Sequence, residues 1–367
     1  MIEIDVERLR SMGLTPAMAA EAVSFSTFPT SLPEAFPPGA RLMRLTEVHR
    51  ETVELHDGEH SHSARVLPRL MRALDDDDTG LAVGDWVIGA ADAHGQCWVH
   101  ERVPPLSHIA RRDADGRRHP VVSNVDTAFL VMGLDDDFNP RRLERYLILV
   151  QGSGVQPVVV LTKADAVPPQ ALDEARAQLR GRLPANVELL AVNGRSVEAA
   201  QALQPWLSAG QTVVLMGSSG AGKSTLTNTL AGTELQDTGA VREHDSRGKH
   251  TTTSRSLHRL PGGACVIDTP GLRTLRPDTD EARLALSFDD IATLALQCRF
   301  RDCRHEDEPG CAVREGVGAD RVRNYHKLLR EVRRDTLTVL ERHQQLSQWK
   351  ARGRLARERM KLKRGED

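Results

Sequence analysis

The sequence predicts a multidomain α/β protein built from a small β-barrel, a parallel-sheet α/β domain and a helical C-terminal module. Three observations carry that prediction. Between Arg41 and Val103, about five short strand-like runs follow one another, with Asp57-Gly58 as a hairpin turn between the second and third. Beyond residue 119, short apolar runs alternate with segments of helical period. After Ala282 the pattern is helical but interrupted by a cluster of cysteine and histidine.

Length and charge bound the rest. The 367 residues allow two or three domains, each able to bury a core, and 49 basic against 51 acidic side chains leave a net charge of −2. No global imbalance announces a nucleic-acid partner. Apolar runs such as Ala128 to Met132 and Val158 to Leu161 fall far short of the ~20 residues that cross a bilayer. The start Met1-Ile2-Glu3-Ile4-Asp5 lacks the basic and apolar regions of a signal peptide. A cytoplasmic protein with no membrane partner is expected. Of the five cysteines, Cys97 and Cys265 stand alone, while Cys298, Cys303 and Cys311 cluster, which suits a reducing compartment and metal ligation.

In chain order, residues 1–40 read as an N-terminal extension: short helices between Val6 and Val23, then a loop with Pro29, Pro33, Pro37 and Pro38. Residues 41–107 hold the strands Leu42 to Val48, Thr52 to Leu55, Ser63 to Leu67, Trp86 to Ala90 and Cys97 to Val103. Five strands in so short a span suggest a closed, OB-like barrel, a common binder of oligonucleotides. A charged connector, His108 to His119, leads into the α/β domain, 119–282. Its strands are Thr127 to Met132, Val158 to Leu161, Val187 to Val192, Val213 to Met216 and Cys265 to Asp268, with helices over Arg141 to Val150 and Pro169 to Leu179. In the helical module, 283–345, Asp320 can cap a last helix with the apolar stripe Val322, Tyr325, Leu329, Val332, Val339. The tail, 346–367, is cationic: Lys350 to Arg364 has eight basic residues and one acidic.

The strongest chemical signal is Gly217-Ser218-Ser219-Gly220-Ala221-Gly222-Lys223-Ser224, set between a predicted strand and the helix-compatible run from Thr225. Both flanks of a P-loop are present. Its glycines let successive backbone N–H groups curl around phosphates, Lys223 neutralises the β and γ oxygens, and the Ser224 hydroxyl ligates Mg²⁺. A nucleoside triphosphate is the implied ligand. Downstream, a strand ends in Asp268-Thr269-Pro270-Gly271, where the carboxylate can hold Mg²⁺ through water and the Gly271 N–H can approach a γ-phosphate. Between them, Arg247 to Thr253 offers the hydroxyls of Thr251 and Thr252, the latter a candidate Mg²⁺ ligand, and the imidazole of His250.

Base choice falls to Thr162-Lys163-Ala164-Asp165 after a predicted strand. Guanine presents N1–H and N2–H₂ side by side, and the Asp165 carboxylate can accept both, whereas adenine has no such pair. Lys163 can lay its stem over the ring. A further base loop at Asn193-Gly194 reads equally well as an ordinary turn. In most GTPases the P-loop comes first and the base motif last; here Thr162 to Asp165 precedes Gly217 to Ser224, which precedes Asp268 to Gly271, so the order is circularly permuted. All these loops leave one sheet edge, and a permuted chain can still assemble the site.

Cys298-x₄-Cys303-x-His305-x₅-Cys311 supplies three thiolates and an imidazole, a closed tetrahedral set that points to one structural Zn²⁺. By contrast His56 to His62 and Asp75 to Asp78 read as solvated turns.

The permuted order, Gly248-Lys249-His250-Thr251-Thr252-Thr253, Asp268-Thr269-Pro270-Gly271-Leu272 and the set ending Glu308-Pro309-Gly310-Cys311 together resemble the ribosome small-subunit-dependent GTPase A family. The resemblance runs from about residue 41 to about 340. It implies an OB barrel, a circularly permuted P-loop GTPase domain and a helical zinc-binding domain. It further implies GTP hydrolysis to GDP stimulated by the small ribosomal subunit, during that particle's late maturation, with its ribosomal RNA as partner and hydrolysis coupled to release. A monomer is expected. Leu272 stands where many GTPases place a water-orienting glutamine, so intrinsic turnover should be slow, and the resemblance nominates His250 as the catalytic group. Two other classes fit parts of the sequence: an ATP-using P-loop enzyme with a zinc accessory domain, and a nucleic-acid-binding scaffold with a structural nucleotide.

Overall fold

The computed structural model describes residues 2–27, 36–113, 116–233, 255–270 and 276–335. Two compact units divide the chain, Met1–Asp278 and Thr279–Asp367. In the first, helices α1 (Val6–Arg10) and α2 (Pro16–Thr27) precede the barrel. The sequence reads this stretch as an extension; the structure packs it instead, with Leu9, Met12, Leu14 and Met18 at most 2% exposed in the unit's core. Asp5 caps α1, accepting from the Arg8 N–H at 3.1 Å.

The barrel consists of β1 (Arg41–Val48), β2 (Val53–His56), β3 (Ser61–Val66), β4 (Trp86–Ala91) and β5 (Cys97–Arg102), each within two residues of its expected start and end. The strands pair in the order β1-β2-β3-β5-β4, and β4 returns to β1, which closes the sheet. All pairs are antiparallel except β3 with β5. Alternation drives closure: Val53 and Leu55 of β2 turn inward while Glu54 and His56 do not. A helix the sequence does not announce, α3 (Pro68–Asp76), follows β3 and buries Leu70 and Leu74. It takes in Asp75 and Asp76, so that the predicted loop there starts later.

The predicted connector is also structured. β6 (His108–Arg112) and β7 (Arg118–Ser123) form a hairpin with Ile109 and Val122 fully buried, and β14 (Arg276–Pro277) adds a third strand to it. Two of its arginines are paired on one carboxylate: Asp278 receives Arg112 at 2.7 Å and Arg118 at 2.6 Å.

The α/β layer has the strand order β10-β9-β8-β11-β13-β12, from β8 (Thr127–Gly133), β9 (Gln156–Thr162), β10 (Glu188–Ala191), β11 (Thr212–Met216), β12 (Ser256–Arg259) and β13 (Cys265–Asp268). Only β12 runs antiparallel to its neighbour β13. Both faces are covered, which is why β8 is buried from end to end: Ala128, Leu130 and Met132 enter one core and Phe129 and Val131 the other. Helices α4 (Pro140–Gln151) and α5 (Pro169–Arg180) pack Leu147 and Leu179 on the first side, while α6 (Val197–Leu203) and α7 (Lys223–Ala231) pack Leu203 and Leu226 on the second.

Barrel and α/β layer are continuous. β1 pairs with β12 at Glu47 and Ser256. Beside that bridge the fully buried Arg44 of β1 donates from Nη2 to Asn124 O at 2.9 Å and Thr212 Oγ1 at 3.4 Å, with its guanidinium 4.8 Å from the centre of the Trp86 ring. Burial lowers its pKa to about 10, which still leaves it charged.

The second unit contains α8 (Glu281–Ser287), α9 (Asp289–Ala295), α10 (Ala312–Gly316) and α11 (Ala319–Asp335). Phe288, Ile291, Val313, Val322, Leu328 and Val332 form its core. Buried Arg321 pairs with Asp290 at 2.7 Å and lies over the Phe288 ring at 4.5 Å. Asp320 sits in the first turn of α11 rather than capping it, and Leu328 replaces Leu329 as the more deeply buried position; Val339 lies outside the described residues.

Candidate functional site

Four loops meet at the carboxyl edge of the parallel strands. The first, Gly217 to Gly222, joins β11 to α7, with Gly220 and Gly222 at φ of +83° and +91°, a region that favours glycine. A Cβ on Gly222 would also sit 3.2 Å from Thr162 Oγ1, so the loop presses against the end of β9. Lys223 Nζ donates to Gly217 O at 3.1 Å and Ser218 O at 2.7 Å. Burial lowers its pKa, against the opposing pull of Asp268 and Asp137.

The second loop follows β9. Thr162 Oγ1 donates to Ala221 O at 2.6 Å and Lys163 Nζ to Gly220 O at 2.8 Å, two bonds from the base motif onto the P-loop. Lys163 itself has φ +60°. Asp165, on the short helical turn Ala164–Ala166, is exposed. Ser219 and Gly220 are exposed as well, Ser218, Ser224 and Thr225 half-buried and Ala221 fully buried. The third loop, after β10, lies alongside: Ala164 N–H donates to Val192 O at 3.3 Å, and Thr229 of α7 to Gly194 O at 2.7 Å. Asn193 uses its own Oδ1 to accept the Arg195 N–H at 3.0 Å, the turn geometry that the sequence already allowed.

The fourth loop begins at Asp268, fully buried at the end of β13, with Oδ2 3.4 Å from Ser224 Oγ. Burial pushes its carboxyl up to about 6, while Lys223, the Thr269 N–H and Ser224 pull it down. Its Oδ1 has no hydrogen-bond partner among the described residues. A buried orphan carboxylate oxygen beside a hydroxyl is the donor chemistry Mg²⁺ takes, so the residues fit that ion. His250, Thr251, Thr252 and Gly271 lie outside the described residues.

Sequence reasoning missed a fifth contributor, the loop after β8. Asp135 Oδ2 binds Lys163 Nζ at 2.5 Å, and Asp137 accepts from the Ser218 hydroxyl. Only their position one strand over from β11 could have flagged them, since a run of aspartates by itself reads as a solvated loop.

In the second unit, the ligand atoms of Cys298, Cys303, His305 and Cys311 all lie within 4.8 Å of one another, and no other such group occurs among the described residues. Cys298 Sγ is 3.7 Å from His305 Nδ1 and 3.9 Å from Cys311 Sγ; Cys311 Sγ is 3.5 Å from the same nitrogen. Ligands bonded at about 2.0 to 2.3 Å to one tetrahedral ion stand roughly 3.5 to 3.8 Å apart, so the cage fits zinc. His305 at φ +62° and Gly310 at +74° turn the chain around it. The histidine-bearing hairpin differs: Asp57 accepts the N–H groups of Glu59 and His60, ion-pairs with Arg41 and hydrogen-bonds to the His62 ring, a self-satisfied turn.

Comparison with known proteins agrees with this geometry. The profile described as RsgA GTPase matches residues 101–277. An ABC transporter profile matches residues 201–357, a stretch that contains the P-loop, which nucleotide-binding proteins of many kinds share. The chain is 46% identical over 343 residues to the small ribosomal subunit biogenesis GTPase RsgA of Xanthomonas oryzae pv. oryzae (strain MAFF 311018), covering 90% of each. It is 48% identical over 303 residues to that of Xanthomonas campestris pv. campestris (strain B100), covering 80% of this chain and 82% of the other. Two solved structures share the fold: YjeQ from Thermotoga maritima, TM-score 0.56 at 21% identity over 80% of this chain and 98% of that one, and YloQ, a circularly permuted GTPase, TM-score 0.55 at 21% identity over 84% and 100%. With a P-loop, a base loop bonded to it and this likeness over nine-tenths of its length, the chain belongs to the RsgA GTPase family and is a GTP-hydrolysing enzyme.

Proposed function

We propose that this GTPase acts in biogenesis of the small ribosomal subunit, binding the particle and its ribosomal RNA late in maturation, in the cytoplasm. Subunit contact stimulates hydrolysis, and hydrolysis releases the protein. The observation that supports the nucleotide assignment most is the pair of bonds from Thr162 and Lys163 onto Ala221 and Gly220, which hold the base loop against the P-loop despite the permuted order. None of the described helices is long and apolar enough to cross a membrane.

In this reading the amides of Ser218 to Ser224 receive the phosphates, and Lys223 exchanges its two carbonyl partners for β and γ oxygens. Asp165, exposed at the rim, accepts guanine N1–H and N2–H₂; Asn193 shapes the loop beside it. Ser224 and Asp268, with Thr252, would hold Mg²⁺, which when bound neutralises charge on the phosphate oxygens. Gly271 N–H donates to the γ-phosphate, and neutral His250 orders the attacking water. Cys298, Cys303, His305 and Cys311 would hold zinc, which when bound fixes the second unit's fold. The basic run Lys350 to Arg364 adds salt-sensitive phosphate contacts to RNA.

The deciding experiment is GTP turnover with purified small subunits, large subunits, free RNA or none. Stimulation by small subunits alone is expected; equal turnover in all four refutes the subunit-dependent reading. His250→Ala should retain GTP binding and lose the stimulated turnover, and unchanged stimulation removes His250 from the mechanism.

A further inference from the structure

The loop between β8 and α4 holds Asp135, Asp136 and Asp137, none of which belongs to the nucleotide motifs. Asp137 is the one drawn inward, its side chain 12% exposed. Its Oδ1 accepts from the Ser218 hydroxyl and from Arg142 of α4, and its Oδ2 accepts the Gly133 N–H at 3.2 Å. A lone carboxylate next to a phosphate cradle would repel the ligand, but the Arg142 guanidinium offsets this one. From Ser218 the chain of contacts continues: its carbonyl accepts Lys223 Nζ at 2.7 Å and the Ala221 N–H at 3.4 Å. Arg142, Asp137, Ser218 and Lys223 thus form one connected line from α4 into the loop.

A loop of glycine and serine has little conformational preference of its own. We propose that Asp137 is a positioning residue for nucleotide binding, holding Ser218 so that the loop's amides are arranged for phosphate before the ligand arrives. The proposal rests on the reading of Gly217 to Ser224 as the phosphate cradle. A loop ordered in advance loses less entropy on binding, so the effect falls on affinity.

The test is GDP affinity by calorimetry on the full chain. Ser218→Ala should raise the Kd about tenfold, equivalent to about 1.4 kcal/mol, whereas Ser218→Thr, which keeps the hydroxyl, should stay within about threefold of the parent. Asp137→Ala, which leaves no acceptor for the Ser218 hydroxyl, should match Ser218→Ala, and the double variant should be no weaker than either single one, because both remove the same bond. Should Asp137→Ala fail to fold, Ser218→Ala against Ser218→Thr decides alone. Unchanged affinity in Ser218→Ala, equal losses in Ser218→Ala and Ser218→Thr, or losses that multiply in the double variant overturn the proposal. Lys223→Ala separates the two ideas: if it binds GDP as the parent does, the phosphate-cradle reading itself has failed.

Discussion

The nucleotide pocket and the cysteine cage are assembled in opposite ways. The cage draws its four ligands from fourteen consecutive positions, Cys298 to Cys311, and its shape is decided by one tight turn at His305 and another at Gly310. The pocket draws on loops from Asp135 to Asp268, and its shape is decided by which strands lie next to each other. Their chemistry differs in step: soft thiolates and an imidazole suited to a metal ion, against amides and hard oxygens held by a packed sheet. A local site should therefore fail all at once and a distributed one by degrees.

The largest effect tests the first half of that contrast. Cys311→Ser should lower zinc content from roughly one ion per chain toward none and erase hydrogen-exchange protection in α8 to α11. Metal-free protein with protected helices would show that the cage is dispensable. Next, Lys223→Ala should weaken GTP binding about a hundredfold by removing the cation of the phosphate loop, measured by calorimetry. Asp165→Asn should be milder, roughly thirtyfold against GTP with a matching loss of discrimination over ATP, from two charge-assisted bonds weakened. Retained guanine preference would remove Asp165 from base selection.

The smallest effect concerns the hairpin beside the barrel. His108 donates or accepts at Ser123 Oγ over 2.7 Å, and burial, reinforced by Arg118 and Arg102, lowers its pKa from 6.5 to about 4. The folded state thus binds fewer protons than the unfolded chain between those values. Stability should be full above pH 6.5 and decline as pH falls toward 4. His108→Gln should flatten the fall in melting temperature over that window; an unaltered slope would place the acid sensitivity elsewhere.

What could be read in the sequence follows the same division. The cage was legible because spacing alone brings its ligands together, and the barrel strands and the parallel strands of the sheet were legible because their apolar patterns are local, whereas the short antiparallel β12, with Ser256, His258 and Arg259 among its four residues, was not. Thr162 to Asp165, Gly217 to Ser224 and Asp268 were legible as motifs, each recognisable from its own few residues. What escaped depends on partners far along the chain. The hairpin β6–β7 hid behind Arg111, Arg112, Arg117 and Arg118, because the carboxylate that receives two of them, Asp278, is some 160 positions away. Asp137 escaped for the same reason, with Ser218 81 positions distant. Helix α3 was masked by its acidic end, since only Leu70 and Leu74 face the core.

The short pairing of β1 with β12 has a consequence for any attempt to divide the first unit. β12 is the last strand of the α/β layer, and strands at such a margin present unpaired amides to whatever extended segment comes near. Here β1 of the barrel pairs with that margin, and Arg44 of the same strand bonds to Asn124 and Thr212 of the α/β part. Excising the barrel would bare a ready template for intermolecular strand addition, so the excised remainder should cluster in solution where the whole unit does not.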